Sequence, residues 1–373
     1  MKTKQLPKGW REVELREITE SISAGGTPRR DKKEYWENGT IPWVKISDMK
    51  KKYISRTEEK ITDKGLKNSS TNLFPSGTLI YSIFASLGTI GILEIDATTN
   101  QAIAGITPKK DIISTKYLYY CLQAEKDKIL SKKSHATQDN LNLTILRNHK
   151  IPLPPLQTQK VIVSILEKAE TLKQKRGESD KLTKDYLQSV FYEMFFNKGY
   201  EIKGLLDVFD ITTGKLDSNA MEDNGKYPFF TCSQETYKIN NYAFDCEALL
   251  LAGNNAAGVY SVKYYNGKFN AYQRTYVLTL KNKNDSFRYL QFLLGRKLEE
   301  LKNKSLGTNT KYLTLGILRD IGLIIPPSEE QQKFTFIVEE VEKLKEKQKQ
   351  SKEELKVMFD SLMKQAFNGE LVK

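Results

Sequence analysis

The chain repeats itself, and that constrains its fold more than any local pattern does. Moving the sequence by 172 residues, without a gap, sets Tyr117 and Leu118 on Tyr289 and Leu290, Leu122 on Leu294, and Leu141 on Leu313. The same offset sets Ile145, Leu146 and Arg147 on Ile317, Leu318 and Arg319, Pro154 and Pro155 on Pro326 and Pro327, and Gln159 on Gln331. Twelve of 43 positions are identical, in matching order. Weaker echoes extend it both ways. Gly9 and Trp10 parallel Gly199 and Tyr200, and Ile41, Pro42 and Trp43 parallel Tyr227, Pro228 and Phe229. Near the ends of the repeats the offset grows to about 176, as Val190 and Phe191 meet Ala366 and Phe367. Four extra residues make about one helical turn, roughly 6 Å, so an apolar stripe stays on the same face.

Both copies read alike. A short strand enters a glycine-containing loop (residues 23–27 and 212–215), and strands rich in Ile, Val, Tyr and Phe follow, broken by Gly, Asn and Pro. A helix comes next (about 115–130 and about 286–302), then a polar loop, a strand ending at the proline pair, and a long helix. In the first long helix Ile162, Ile165, Ala169, Leu172, Leu182, Tyr186, Val190, Phe191 and Met194 recur at helical spacing. Phe334, Ile337, Val341, Leu344, Leu355, Met358, Leu362 and Met363 do so in the second. Each should run roughly 35–40 residues, or about 50–60 Å. A single apolar stripe on so long a helix needs a partner, and with a whole domain between them the two helices should pair antiparallel. Packing of each helix on its own domain is the alternative. The expected fold class is α/β (α+β): two similar globular domains, 1–155 and 198–328, separated by an antiparallel two-helix coiled coil built from 156–197 and 329–373. Gly177, inside the first helix, costs about 1 kcal/mol relative to Ala and marks a place for a local kink.

The net charge is +13, and its placement matters. The two long-helix segments together sum to zero, whereas residues 1–155 carry a net +9 and 198–328 a net +4. The excess therefore lies on the globular parts and points to an acidic partner, although a surplus kept for solubility would give the same total. Residues 79–93 are uncharged but too short and too rich in Gly and Ser for a bilayer, and their counterpart at 248–262 holds Asn254 and Asn255. Two strands joined by a turn account for both. Three cysteines without a CxxC pair suggest a reducing compartment, and the first ten residues contain no apolar signal core, so a cytoplasmic location is expected.

No motif for catalysis emerges. The proline pairs lie between Leu153 and Leu156 and between Ile325 and Ser328, which does not make the Asn/Asp-Pro-Pro-aromatic motif of an amino-methyltransferase. GxGxxG is absent, and Gly214-Lys215, Gly225-Lys226 and Gly267-Lys268 lack the remainder of a phosphate loop. The two histidines, His135 and His149, have no metal-ligand spacing, and neither is placed to activate a nucleophile.

With the duplication, the segments LPPLQTQKVIVSIL at 153–166 and IPPSEEQQKFTFIV at 325–338, and the ending SLMKQAFNGELVK at 361–373, the whole chain resembles the specificity subunits of type I restriction–modification systems. The resemblance implies two target-recognition domains reading the halves of a bipartite, non-palindromic duplex DNA site. It also implies helices that set the gap and dock modification subunits, a pair of them. Those subunits would carry S-adenosylmethionine and methylate adenine N6, and restriction subunits would add ATP- and Mg-dependent translocation and cleavage. This chain would hold no cofactor or metal and catalyse nothing. A diverged fused methyltransferase and a coiled-coil scaffold that never touches DNA are the competing readings.

Strand ends and loops of the repeat are the expected DNA contacts, where Lys and Arg hold phosphates and Arg, Lys, Asn, Gln, Ser and Thr read bases. In the first domain these are Arg29, Arg30, Lys32, Lys33, Lys45, Ser47, Ser86 and Gln101, with His135, Thr137, Gln138 and Asn140 in one loop. In the second they are Lys215, Ser233, Asn254, Asn255, Gln273, Arg274, Thr308, Asn309, Thr310 and Lys311. Residues 134–140 align with 306–312 yet share no residue, as a surface with one place and different letters should; an unconstrained solvent loop would look the same. Lys50, Lys51 and Lys52 read as a solvated face or phosphate neighbours, and Tyr119 and Tyr120 as core.

Overall fold

The computed structural model describes residues 6–132, 141–256 and 258–372. They fall into two compact units: unit 1 is Met1–Arg176 with Ser351–Lys373, and unit 2 is Gly177–Gln350. In unit 1 the strands are β1 (Arg11–Glu14), β2 (Thr19–Ala24), β3 (Ile41–Val44), β4 (Tyr53–Ile54), β5 (Glu59–Ile61), β6 (Leu79–Ser82), β7 (Ile90–Leu93), β8 (Thr98–Thr99), β9 (Ile103–Pro108) and β10 (Lys150–Leu153). They form a five-stranded sheet in the order β2-β9-β6-β7-β4, a three-stranded sheet β5-β3-β8 and the pair β1-β10. Unit 2 contains β11 (Glu201–Gly204), β12 (Phe209–Thr213), β13 (Tyr227–Phe230), β14 (Tyr237–Ile239), β15 (Phe244–Ala252), β16 (Asn254–Asn255), β17 (Val262–Ala271), β18 (Thr275–Leu280), β19 (Lys311–Tyr312) and β20 (Gly322–Ile325). Its six-stranded sheet runs β12-β18-β15-β17-β13-β14, beside the pairs β11-β20 and β16-β19.

The uncharged stretches become central strands. Side chains alternate across a strand, so Leu79 and Tyr81 of β6 enter the core that faces the helices, whereas Ile80 joins Val44, Phe74 and Leu93 on the other side. In β15, Leu249 and Leu251 face the helical core, and Ala248 and Leu250 pack with Phe230 and Phe269. Both faces are covered along residues 79–82 and 248–252, which is why those stretches carry no charge, whereas Asp245 and Glu247 lie in the less buried first half of β15. No helix among the described residues is long and apolar enough to cross a membrane.

Two of the identical residue pairs of the repeat are internal polar anchors. The Tyr117 hydroxyl donates to the Pro152 carbonyl at 2.8 Å, and Tyr289 donates to Ile324 at 2.8 Å. Gln159 is fully buried; its Oε1 accepts from Ser114 N–H at 2.8 Å, and its Nε2 donates to Ile112 O at 3.0 Å and Pro154 O at 2.9 Å. Gln331 repeats this with Ser286 N–H, Asp285 Oδ1 and Pro326 O at 2.8, 2.8 and 2.9 Å. Each glutamine thus ties the start of the domain helix to the turn between strand and long helix. The Pro154 and Pro326 carbonyls are buried, so the glutamine replaces the water they would otherwise bind.

The long helices, Leu156–Phe195 and Ser328–Phe367, are 40 residues each. The first stays α-helical through Gly177, beside which a side chain would meet only open space. Each helix is divided between the units. In unit 1, Ile162, Leu166 and Ala169 share a core with Phe359, Met363 and Phe367. In unit 2, Leu187, Phe191 and Phe195 share one with Phe334, Val338 and Val341. There Gln348 donates to Thr183 at 2.8 Å while the rings of Phe191 and Phe334 lie 5.7 Å apart, so the segments run antiparallel.

A charge cluster fastens the helix to the sheet within unit 1. Lys52 Nζ donates to the Tyr120 hydroxyl at 2.7 Å and Glu170 Oε2 at 2.9 Å, and Lys116 meets Glu167 at 2.9 Å. Lys52 therefore points inward, not into solvent as its place in a lysine run suggests. In unit 2, Arg288 lies 3.4 Å from Glu342 and 4.5 Å from the Tyr264 ring centroid. Cys121 is buried, whereas Cys232 and Cys246 are only partly so, because two of the three cysteines sit near strand ends.

Replacing Gln159 or Gln331 with Leu should destabilise the fold by about 2–4 kcal/mol, since each change removes three hydrogen bonds at roughly 1 kcal/mol apiece and strands one fully buried carbonyl. Chemical denaturation of the variants checks this; a loss below about 1 kcal/mol would deny the glutamine its anchoring role.

Candidate nucleic-acid interface

In unit 2 the expected contact residues gather at one end of the six-stranded sheet. β16 pairs with β19, setting Asn254 opposite Tyr312 and Asn255 opposite Lys311. Gly253 N–H donates to Arg274 O at 2.9 Å and Gln273 N–H donates to Leu216 O at 2.9 Å, so the loops holding Lys215, Gln273 and Arg274 sit beside that pair. Cys232 Sγ, next to Ser233, donates to Arg274 O at 3.3 Å. Thr308, Asn309 and Thr310 form the exposed tip between Leu306 and Tyr312, which bridge each other. A cleft of about 510 Å³ opens here, lined by Ser218, Thr231, Ser233, Tyr237, Asn254 and Asn255 among others.

The side chains are presented differently. Arg274 and Lys215 are exposed. Gln273 donates its amide to Asp217 Oδ1 at 2.5 Å. Asn255 Oδ1 accepts from Val259 N–H at 3.2 Å and so shapes its own loop. The Ser233 loop rests on Lys263, whose ammonium donates to Ser233 O at 3.0 Å and Glu235 O at 2.6 Å. Burial pushes the Lys263 ammonium below the usual lysine range.

Unit 1 builds the corresponding end from other residues. Gly25 N–H donates to Ile103 O at 3.0 Å and Gly26 N–H donates to Thr99 O at 2.9 Å. A side chain at Gly25 would collide with the Thr99 carbonyl, as one at Gly214 would with that of Ala271, 172 residues on. Thr27 donates to Gln101 Oε1 across this turn. The hairpin tip with exposed Ser86 is tied to the same end, because Ile83 N–H donates to Ala102 O at 2.8 Å. Arg30 and Lys45 converge on one carboxylate: Arg30 Nη1 donates to Glu59 Oε2, and Lys45 Nζ donates to Glu59 Oε1 at 2.6 Å and Glu58 Oε2 at 2.9 Å. Partial burial works to raise the Glu59 pKa, but Arg30 and Lys45 outweigh it and hold the carboxyl below the usual range. Arg29 makes a two-pronged contact with Asp31 at 2.7 and 3.2 Å. Lys32 and Ser47 are exposed, and Lys33 lies 3.8 Å from Glu37 on the outer side of the loop. His135, Thr137, Gln138 and Asn140 lie outside the described residues.

Among the described residues no group of three or more His, Cys, Asp and Glu is placed to hold a metal ion. The model of the type I restriction modification DNA specificity domain matches residues 7–184 and again 197–357. The chain belongs to the type I restriction–modification DNA specificity family. Members of that family recognise DNA and leave catalysis to other subunits, which sets the fused-methyltransferase reading aside.

The chain is 28% identical to the type I restriction enzyme MjaIX specificity subunit of Methanocaldococcus jannaschii, over 98% of this chain and 94% of that protein. It is 38% identical to the EcoDI specificity subunit of Escherichia coli over 45% of this chain and 37% of that protein. The fold matches a chain from a study of complex assembly and conformational transition in the type I R-M system, with a TM-score of 0.67, 19% identity, and 98% and 100% of the two chains covered. It also matches the S subunit of M. genitalium at a TM-score of 0.60 and 14% identity, covering 98% of each chain.

Trp36, Glu59, Asp217 and Lys263 do not stand out in the sequence, yet they hold family loops in place. A tryptophan within the highly charged stretch 28–40 is the one signal that could have drawn attention to Trp36. Replacing Lys263 with Met should free the Ser233 loop and raise amide exchange across residues 233–237 about tenfold or more, in line with losing two charge-assisted bonds. Unchanged exchange in that segment would show that the lysine is not its support.

Proposed function

We propose that the chain reads a bipartite, non-palindromic DNA target, unit 1 taking one half and unit 2 the other. The observation that carries this is the coexistence of conserved anchors and divergent tips. Tyr117 and Gln159 share their bonding with Tyr289 and Gln331, whereas Gln101 of one turn answers to Thr27 and Gln273 of the other to Asp217. One framework offering two sets of side chains suits two unlike half-sites. The net positive charge of both globular segments suits a polyanion.

In this reading segments 1–155 and 198–328 are the recognition domains, and 156–197 and 329–373 are spacer helices that set the gap. The spacers also offer apolar side chains to partners: Leu172, Leu182, Tyr186, Leu344 and Val357 are exposed along them. Two modification subunits docked there would supply S-adenosylmethionine and methylate adenine N6 after extruding the base from the stack. A restriction subunit would add ATP and Mg, and the assembly would work in the cytoplasm. The loop residues named above in both units would make the DNA contacts, among which exposed Arg274 is free to reach a base edge.

Mapping adenine methylation in cells that express the chain with its modification subunit tests the proposal. A split motif is expected, and Arg274→Ala should relax one half of it by about 1–3 kcal/mol of discrimination while leaving the other intact. Equal weakening of both halves, or a continuous palindromic motif, would rule the modular reading out.

A further inference from the structure

We propose that Arg30 is the residue through which unit 1 reads a guanine, and that Trp36 and Glu59 hold it ready to do so; this rests on the two-half reading and adds a base to it. The guanidinium carbon sits 3.7 Å from the centroid of the Trp36 ring and 4.8 Å from that of Trp43. The two indoles meet edge to face at 5.0 Å. Both are pinned: Trp36 Nε1 donates to Arg29 O at 3.1 Å, and buried Trp43 donates to Gly26 O at 2.9 Å. Nη1 is committed to Glu59, whose other oxygen holds Lys45. An arginine is ordinarily a flexible chain that loses freedom when it binds. This one is fixed at a ring face and at one nitrogen before any ligand arrives.

Its remaining edge is free. Among the described residues no acceptor meets Arg30 Nε or Nη2, and half of the side chain is exposed (52%). Those two N–H groups are parallel donors. Guanine offers two acceptors, O6 and N7, on its major-groove edge, whereas adenine pairs one acceptor with a donor and so rejects the same fork. A phosphate would also accept both bonds, but the Glu59 carboxylate touching this guanidinium would repel it; a neutral base edge suffers no such penalty. The corresponding turn of unit 2 has no such arrangement among the described residues. There the turn after Gly214 and Lys215 continues Leu216, Asp217, Ser218, Asn219, with no arginine and no tryptophan. One half-site alone should show the effect.

The test is adenine-methylation mapping with the full chain and its modification subunit, comparing wild type with Arg30→Ala, Arg30→Lys and Glu59→Gln. The wild-type motif should carry an invariant G·C pair in one half. Arg30→Ala should let other pairs in at that position, raising their use relative to G·C by about ten- to a hundredfold, while the opposite half keeps its motif. That intact half shows the variant to be folded and assembled. Arg30→Lys should not restore the preference, since an ammonium has no paired edge, and it carries the comparison should Arg30→Ala fail to accumulate. Glu59→Gln should weaken discrimination at the same pair and nowhere else. The inference is overturned by an unchanged Arg30→Lys motif, or by a uniform drop in methylation with the motif intact, which marks a phosphate contact. It is overturned equally if the position that relaxes is not G·C, or if Glu59→Gln leaves the motif as in wild type. A wild-type complex with no split motif would instead remove the two-half reading beneath it.

Discussion

A buried glutamine amide holds each half of this protein together at its weakest joint. Where a strand gives way to a long helix, the carbonyl of the first proline is left for a side chain to satisfy, and the domain helix begins nearby with an open N–H. Gln159 closes both in one step, and Gln331 does the same with Ser286 and Pro326. An amide has a donor and an acceptor in fixed geometry, which no apolar residue and no carboxylate reproduces. Strand, domain helix and long helix then move as one body. Positions outside this frame are released from structural duty, and that freedom is what lets the loop tips differ.

Recognition and support are divided by residue type. The tips carry Arg, Lys, Asn, Gln and Ser, while the residues behind them close the local charges: Glu59 for Arg30 and Lys45, Asp217 for Gln273, and backbone carbonyls for Lys263. A tip side chain already satisfied on one side has fewer ways to bond on the other. That restriction costs reach and gains selectivity.

Much of this was legible in the sequence. The offset of 172 residues exposed the duplication because apolar core positions and a few residues with directional bonds, such as Tyr117 and Gln159, are kept in both copies. The long helices were legible from their apolar spacing and the prolines before them. The interface was legible as a place, not as a set of contacts. Gln273 and Arg274 are exposed neighbours in the chain, yet only the first is tied to Asp217, a difference made by loops far apart in sequence. Lys52 shows the same limit, since a run of three lysines gives no sign that one turns inward to Tyr120 and Glu170. Support residues such as Trp36 and Glu59 fit no motif and take their meaning only from what the fold places against them.

The two units are not equally continuous. Unit 2 is a single stretch, Gly177–Gln350, whereas unit 1 joins Met1–Arg176 to Ser351–Lys373. The core of unit 1 needs Phe359, Met363 and Phe367. A ribosome adding about 5–20 residues per second reaches those side chains roughly 10–40 s after it finishes Arg176. The unit begun first is therefore completed last, and its helical groove waits uncovered while the later one is already able to close. Nascent chains of this kind should lean on holding chaperones for that interval, and a chain stopped early should lose the first half of its fold, not the second.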